Sequence, residues 1–198
     1  DEYANVAEIL DNTEIDMLEM NISCPNIKEG GIAFGTDPDM TSKVVERVRE
    51  VVKNKPLIVK LSPNVTNIAQ FGKAAENAGA DAISAINTLL GMSIDIDTRR
   101  PHLSNITGGF SGPAIKPVAI RMVYELKKSV TIPIIGIGGI MNYKDVIEFY
   151  LAGASAVQIG TANFVDPEIG PKMVTDLQNY IEKENIDHIS NLTGQLIV

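Results

Sequence analysis

The protein has 198 residues, 44% of them hydrophobic and 21% charged, so it can bury a sizeable core and is neither disordered nor collagen-like nor mucin-like. Its formal net charge of −8 argues against nucleic-acid binding, because phosphate backbones repel an acidic protein. The single cysteine excludes an intrachain disulfide, a four-cysteine zinc site and an iron–sulfur cluster held by this chain alone. No apolar run approaches the ~18 residues of a membrane span and no basic leader is visible, so we expect a cytoplasmic protein without membrane segments.

Short apolar runs alternate with segments of helical period along the chain. The predicted strands are residues 15–22, 57–62, 82–87, 132–137 and 155–160. The predicted helices are residues 3–10, 39–54, a helix capped by Thr66 and ended by Gly79, 115–126, 143–152, and a last helix from about 171 to 184 with Pro171 in its first turn. Residues 88–113 are too many for a simple connection, and we expect a small excursion such as a hairpin there.

The alternation of strands and helices predicts an α/β fold with right-handed crossovers and a parallel sheet. Two architectures fit this pattern. One is a doubly wound open sheet, and the other is part of a (β/α)₈ barrel.

Polar residues and glycines recur near the carboxyl ends of the five predicted strands, which is the edge where parallel α/β proteins bind ligands. The residues in such positions are Asn21, Lys60, Asn87, Gly138, Gly139, Gly160 and Thr161. This placement predicts a ligand site at that edge of the sheet.

Cys24 and Lys60 are the two most reactive candidates. Cys24 lies in a loop beside polar residues and could act as a base or nucleophile, although a lone cysteine is commonly a buried structural thiol. Lys60 lies in an apolar strand, where a charge is costly unless it is paired. It could supply positive charge to an anionic group, or its ammonium group could extend to the rim of the fold.

Two glycine clusters follow successive strands, at Gly138-Gly139 and at Gly160-Thr161. Glycines let backbone N–H groups approach a phosphate, and the last two loops of (β/α)₈ barrels often form a phosphate site, although one such cluster alone would indicate only a tight turn. Asn87-Thr88 could bind an imide-like or carboxylate ligand or form an Asx turn.

We identify no partner for either histidine, His102 or His188, and expect both to be solvated. No spacing typical of metal ligands occurs in the sequence.

Four segments, taken together with the glycine clusters, carry a resemblance to a known family over roughly residues 1–185. They are Asn-Ile-Ser-Cys-Pro-Asn at 21–26 with the Gly-Gly loop and Phe-Gly-Thr-Asp that follow, Val-Lys-Leu-Ser-Pro-Asn at 59–64, Ile-Asn-Thr-Leu-Leu-Gly-Met at 86–92, and Gly-Gly-Phe-Ser-Gly-Pro-Ala-Ile-Lys-Pro at 108–117. They closely resemble the catalytic subunit of class 1B dihydroorotate dehydrogenases, which are cytosolic flavoproteins of bacteria.

The resemblance implies an FMN-binding (β/α)₈ barrel that oxidises dihydroorotate to orotate in pyrimidine synthesis. Residues 1–198 would form the C-terminal part of this single domain, with about the last five β–α units of eight. We therefore expect either that the chain is a fragment or that another chain supplies the missing units.

Roles in the reaction also follow from the resemblance. Cys24 would be the base that takes a proton from C5 of dihydroorotate, while C6 gives a hydride to flavin N5. Asn21, Asn87 and Thr88 would bind the substrate. Contacts with FMN fall to Asn21, Lys60, the backbone at Ile86, Gly112, and a phosphate cradle of Gly138, Gly139, Gly160 and Thr161.

A cysteine base separates the chain from the membrane-associated class 2 enzymes, which use serine. The loop 27–31 looks more like class 1B than the fumarate-using class 1A. The implied partner is a flavin and iron–sulfur subunit that passes electrons to NAD, around a homodimer of catalytic subunits.

The alternatives are a flavin barrel like the C-terminal domain of dihydropyrimidine dehydrogenase, an inactive fragment with a residual phosphate site, and a phosphate-binding barrel enzyme without flavin.

Overall fold

The computed structural model describes residues 1–22 and 34–198, and Cys24 lies outside the described residues. The helices are α1 (Glu2–Asp11), α2 (Pro38–Arg49), α3 (Ile68–Asn77), α4 (Lys116–Lys127), α5 (Tyr143–Ala152), α6 (Ala162–Val165) and α7 (Ile169–Lys183). The strands are β1 (Leu18–Asn21), β2 (Leu57–Leu61), β3 (Ala82–Ala85), β4 (Leu89–Met92), β5 (Ile94–Asp95), β6 (Arg100–Pro101), β7 (Thr107–Phe110), β8 (Ile134–Ile137) and β9 (Ala156–Gln158).

Five strands form a parallel sheet in the order β1-β2-β3-β8-β9. All five predicted strands are therefore confirmed, although each is shorter than predicted. The register places Asn21 beside Lys60, and Lys60 beside Ser84. Because side chains alternate between the faces of a strand, these three share one face of the sheet, which we call the inner face.

The outer face of the sheet is apolar and is covered by helices. Its residues include Met20, Val59 and Ile83, all buried. The helices α2, α3, α4 and α5 pack side by side in chain order, and α3, α4 and α5 contact the sheet directly. The helix layer leaves no room for a side chain at Gly136, since an added Cβ would collide with the ring of Phe149.

The sheet is curved, so that its two outermost strands approach each other across the inner face. Gln158 on β9 donates a hydrogen bond from Nε2 to Glu19 Oε2 on β1 at 2.7 Å. Such a contact cannot form between the distant edges of a flat sheet, and helices cover one face rather than two. Of the two predicted architectures, the structure therefore has the barrel type.

Side chains that accept hydrogen bonds from the backbone fix where α2 and α3 begin. Asp37 caps α2 by accepting from Asp39 N and Met40 N, and α3 is capped by Asn67 rather than by the predicted Thr66. Gly79 has a φ of +97°, which suits its predicted place after the end of α3.

The helix α2 ends at Arg49, five residues before the predicted end at residue 54. The cause is the buried Asp11 carboxylate, which accepts hydrogen bonds from the backbone N–H groups of Lys53, Asn54 and Lys55. Burial opposes the charge of Asp11, but these hydrogen bonds outweigh it and lower the pKa of its carboxyl group.

The predicted excursion is confirmed as a pair of nested hairpins between β3 and α4. β4 pairs with β7 and β5 pairs with β6, both antiparallel. No described helix is long and apolar enough to cross a membrane.

Candidate functional site

A cavity of about 260 Å³ lies at the carboxyl ends of β2, β3, β8 and β9, on the inner side of the sheet. It is lined by nine of the predicted site residues, Lys60, Ile86, Asn87, Thr88, Gly112, Gly138, Gly139, Gly160 and Thr161. Asn21 joins this group through Asn87, whose Nδ2 donates to Asn21 Oδ1 at 3.1 Å. The structure thus gathers every predicted site residue that it describes, while Cys24 lies outside the described residues.

One wall of the cavity consists of glycine backbone. Gly138 and Gly139 have φ angles of +132° and +74°, which residues with a side chain rarely adopt. A Cβ on Gly139 would lie 2.8 Å from Lys116 N and 2.9 Å from Gly112 O, so this loop packs directly on the start of α4. A Cβ on Gly160 would meet nothing within 4 Å, because this position faces open space. Glycines at these positions leave the backbone accessible to a ligand group such as a phosphate.

A salt-bridged carboxylate supports the glycine wall from behind. Asp145 Oδ2 accepts from Met141 N at 2.8 Å and from Asn142 N at 3.1 Å. Lys116 Nζ donates to Asp145 Oδ1 and to Glu148 Oε1, both at 2.6 Å. Burial alone would lower the pKa of Lys116, but these two carboxylates outweigh it and raise the pKa above its usual value. Neither Lys116 nor Asp145 was assigned a role from the sequence, although Lys116 lies in one of the segments that carry the resemblance.

Amide side chains organise the opposite wall. Asn87 Oδ1 accepts from Thr88 N at 2.8 Å. Asn64 Nδ2 donates to Thr88 O at 3.0 Å, and Asn64 Oδ1 accepts from Leu90 N at 2.9 Å. Asn64 therefore links the start of the excursion to the end of β2. This role is not visible in the sequence, because it depends on a residue 24 positions away.

Backbone hydrogen bonds set the position of Asn87 at the end of β3. Ile86 N donates to Ile137 O at 2.9 Å, and Asn87 N donates to Leu61 O at 3.0 Å. The Ala85–Ile86 peptide bond is cis. The two backbone hydrogen bonds hold the chain between β2 and β8, and Asn87 lines the cavity.

Lys60 forms an ion pair with Glu19, in agreement with the expectation that a lysine in this strand needs a partner. The distance from Lys60 Nζ to Glu19 Oε1 is 3.3 Å. Lys60 and Gln158 both line the cavity. The alternation of apolar and polar residues at 18–21 could have placed Glu19 on the same face as Asn21, but its pairing with Lys60 is not visible in the sequence.

Neither histidine lies in the cavity, and both are exposed, as predicted, although each also has a partner close to it in the chain. His102 Nδ1 lies 3.1 Å from Ser93 Oγ in the excursion, and His188 Nδ1 accepts from Ser190 N at 3.2 Å. Among the described residues, no group of three or more histidine, cysteine, aspartate or glutamate side chains gathers as it would around a metal ion.

The sequence of this chain is similar to those of known proteins. A dihydroorotate dehydrogenase family profile matches residues 1–181. The catalytic subunit of dihydroorotate dehydrogenase B (NAD(+)) from Bacteroides fragilis ATCC 25285 is 54% identical over 199 residues, covering 100% of this chain and 65% of that protein. The subunit of the same name from Geotalea uraniireducens is 56% identical over 198 residues, with the same coverage. The chain thus spans about 65% of the length of these relatives.

The crystal structure of Eimeria tenella dihydroorotate dehydrogenase in complex with ferulenol has the same fold, with a TM-score of 0.80 at 21% identity. The match covers 98% of this chain and 57% of that chain. The five parallel strands and their outer helices thus form part of a (β/α)₈ barrel. With a profile match over most of its length, the chain belongs to the dihydroorotate dehydrogenase family.

Proposed function

We propose that the protein binds FMN in the cavity and oxidises dihydroorotate to orotate in pyrimidine synthesis. The observation that carries the proposal is that glycine backbone, a lysine and paired amides line one cavity at the carboxyl edge of the sheet, in a chain of this family. In this proposal the chain contributes to a single FMN-binding barrel domain.

The lining of the cavity fits the parts of FMN. The exposed backbone at Gly138, Gly139 and Gly160 suits a phosphate, because backbone N–H groups bind phosphate oxygens without needing a countercharge. Thr161 lies beside this backbone, and its Oγ1 donates to Ser111 Oγ at 2.9 Å. Lys60 would supply positive charge near the ring system. The chemistry that FMN supplies when bound is the acceptance of a hydride.

The amide wall fits the substrate. Dihydroorotate carries an imide and a carboxylate, which need both donors and acceptors. Asn21, Asn87 and Thr88 offer both, and the hydrogen bond between the two asparagines holds their amide planes in a fixed relation. Such preorganisation reduces the cost of orienting the substrate.

We assign the base to Cys24. As thiolate, Cys24 would take the proton from C5 of dihydroorotate while the hydride leaves C6, so that the C5–C6 double bond of orotate forms. Its support is its place three residues after Asn21, which the structure locates beside the cavity residue Asn87.

The names of the bacterial relatives also suggest what receives the electrons. Both are catalytic subunits of enzymes that use NAD(+). We therefore propose a cytoplasmic complex in which a partner subunit with flavin and an iron–sulfur cluster passes electrons to NAD, around a homodimer of catalytic subunits.

The test is anaerobic reduction of the purified protein, expressed from its complete gene. We expect stoichiometric flavin, identified as FMN by mass spectrometry after release, and loss of its visible absorbance on addition of dihydroorotate. The Cys24→Ala variant should retain FMN but lose this reduction. Protein without flavin, or bound flavin that dihydroorotate does not reduce, would contradict the proposal, and a Cys24→Ala variant with full activity would refute the assignment of the base.

A further inference from the structure

Glu19 contacts two residues of the cavity from outside it. Its Oε2 accepts from Gln158 Nε2 at 2.7 Å, and its Oε1 lies 3.3 Å from Lys60 Nζ. Lys60 and Gln158 line the cavity, whereas Glu19 lines a separate groove between β1 and α1. The Glu19 carboxylate thus holds two side chains of the cavity wall, although Glu19 is not among the described residues that line the cavity.

The arrangement fixes the carboxylate at both oxygens. The side chains of Lys60 and Glu19 are only 21% and 26% exposed, so water screens their attraction less than that of an ion pair on the surface. Gln158 comes from the far edge of the sheet and binds the second oxygen, which keeps the first directed at the lysine. The three side chains form a cross-link between β1, β2 and β9.

Among the described residues that line the cavity, Lys60 is the one with a charged side chain. Glu19 offsets this charge and also limits where the ammonium group can move. An ammonium group without this carboxylate would present more positive charge to whatever occupies the cavity. The effect would be largest for an occupant that gains negative charge, such as a flavin on reduction.

We propose that Glu19 is a positioning residue that holds Lys60 in the cavity wall, offsets its charge and thereby sets the reduction potential of the bound flavin. This inference rests on the proposed function, which places FMN in this cavity. It assigns to Glu19 a role exerted through Lys60, without contact between Glu19 and the cavity.

The test is the midpoint potential of FMN in the holoprotein, measured anaerobically against a reference dye. For Glu19→Gln, which keeps the size of the side chain but removes its charge, we expect at least a tenfold gain in preference for reduced over oxidised FMN. This gain equals a positive shift of about 30 mV for a two-electron couple. Glu19→Asp keeps the charge and should restore most of the wild-type potential.

A matched control breaks an ion pair far from the cavity. Glu125→Gln removes the carboxylate that pairs with Arg121 on α4 at 2.5 Å, and it should leave the potential unchanged. The difference between the potentials of bound and free FMN depends on the ratio of the dissociation constants for reduced and oxidised FMN. For a variant that binds FMN weakly, both dissociation constants are therefore measured by titration, and the potential follows from their ratio.

A double-mutant cycle decides whether Glu19 acts through Lys60. In a Lys60→Met background, Glu19→Gln should change the preference for reduced over oxidised FMN by less than threefold. An unchanged potential in Glu19→Gln, or the same tenfold gain with and without Lys60, would overturn the inference while the proposed function stands. Wild-type protein that binds no flavin would instead overturn the proposed function, and this inference with it.

Discussion

The two faces of the same parallel sheet differ in how their residues are held. On the outer face, apolar side chains such as Val59 and Ile83 pack against helices and are fully buried. On the inner face, the neighbouring residues Lys60 and Asn21 are held by hydrogen bonds and charge. Because successive residues of a strand point to opposite faces, the packing of the outer face fixes the position of each polar group on the inner face. Substitutions that disturb the outer face therefore test packing, and substitutions in the cavity test binding.

The largest effect on stability is expected from the outer face. Phe149 is fully buried and fills the space left by the missing side chain of Gly136. Phe149→Ala should lower the free energy of unfolding by about 3–5 kcal/mol, measured by denaturant titration, because it leaves a cavity in the core. The matched control is Phe164→Ala, since Phe164 is 91% exposed and its loss should change the free energy by less than about 0.5 kcal/mol. Similar losses at both positions would contradict the packing described for the outer face.

The next largest effect is expected on FMN binding, from a substitution in the glycine wall of the cavity. Gly139→Ala places a Cβ against Lys116 N and Gly112 O at a φ of +74°, so the loop must shift or bear strain of about 1–3 kcal/mol. We expect FMN affinity, measured by fluorescence titration, to fall at least tenfold.

The control for this substitution is Gly170→Ala in α7, where an added Cβ meets nothing within 4 Å. This variant should bind FMN as the wild type does, with equal or slightly higher stability, because alanine favours helix more than glycine. Wild-type affinity in Gly139→Ala would show that this loop does not hold the phosphate.

A smaller effect on stability, which depends on pH, is expected at Asp11, whose carboxylate holds the loop at residues 53–55. Hydrogen bonds from backbone N–H groups hold the pKa of its carboxyl group below the ordinary value of an aspartate. Its charged form therefore stabilises the fold at neutral pH, and this contribution is lost as the pH falls through the folded-state pKa. Asp11→Asn should lower the melting temperature by a few degrees at pH 7.

The pH profile is the sharper part of that test. The gap in melting temperature between wild type and Asp11→Asn should stay constant from neutral pH to about pH 5 and narrow below about pH 4. Asp16→Asn, at an exposed aspartate, serves as the control. A gap that does not depend on pH would exclude the charge of Asp11 as its cause.

The smallest effect concerns the start of α3. Asn67 accepts a hydrogen bond from Ala69 N at 3.1 Å, so Asn67→Ala should cost about 1 kcal/mol of stability. Thr66→Ala, the substitution at the predicted cap, should cost less than about 0.5 kcal/mol in the same denaturant titration. A larger loss of stability in Thr66→Ala than in Asn67→Ala would instead support Thr66 as the cap, as predicted from the sequence.

The periodicity of the sequence was sufficient to predict the strands and the edge at which the site lies, because both depend on local alternation. It was not sufficient at positions set by distant residues. The end of α2 depends on Asp11, about 40 residues earlier, and the partner of Lys60 is Glu19, 41 residues earlier. At α3, adjacent threonine and asparagine are both good caps, so the sequence alone does not distinguish them.

In the candidate site, too, some residues were predictable from the local sequence and others were not. The glycines and amides of the cavity were predicted from their places after strands. The groups that hold them, Asp145 behind the glycine wall and Asn64 behind Thr88, lie on other elements and become identifiable only in the folded chain.

The most direct test of the central claim is a crystal structure of the purified protein with FMN. We predict FMN in the cavity, with its phosphate on the backbone of Gly138, Gly139 and Gly160 and its ring system beside Lys60. A phosphate bound elsewhere, or a flavin bound outside this cavity, would contradict it.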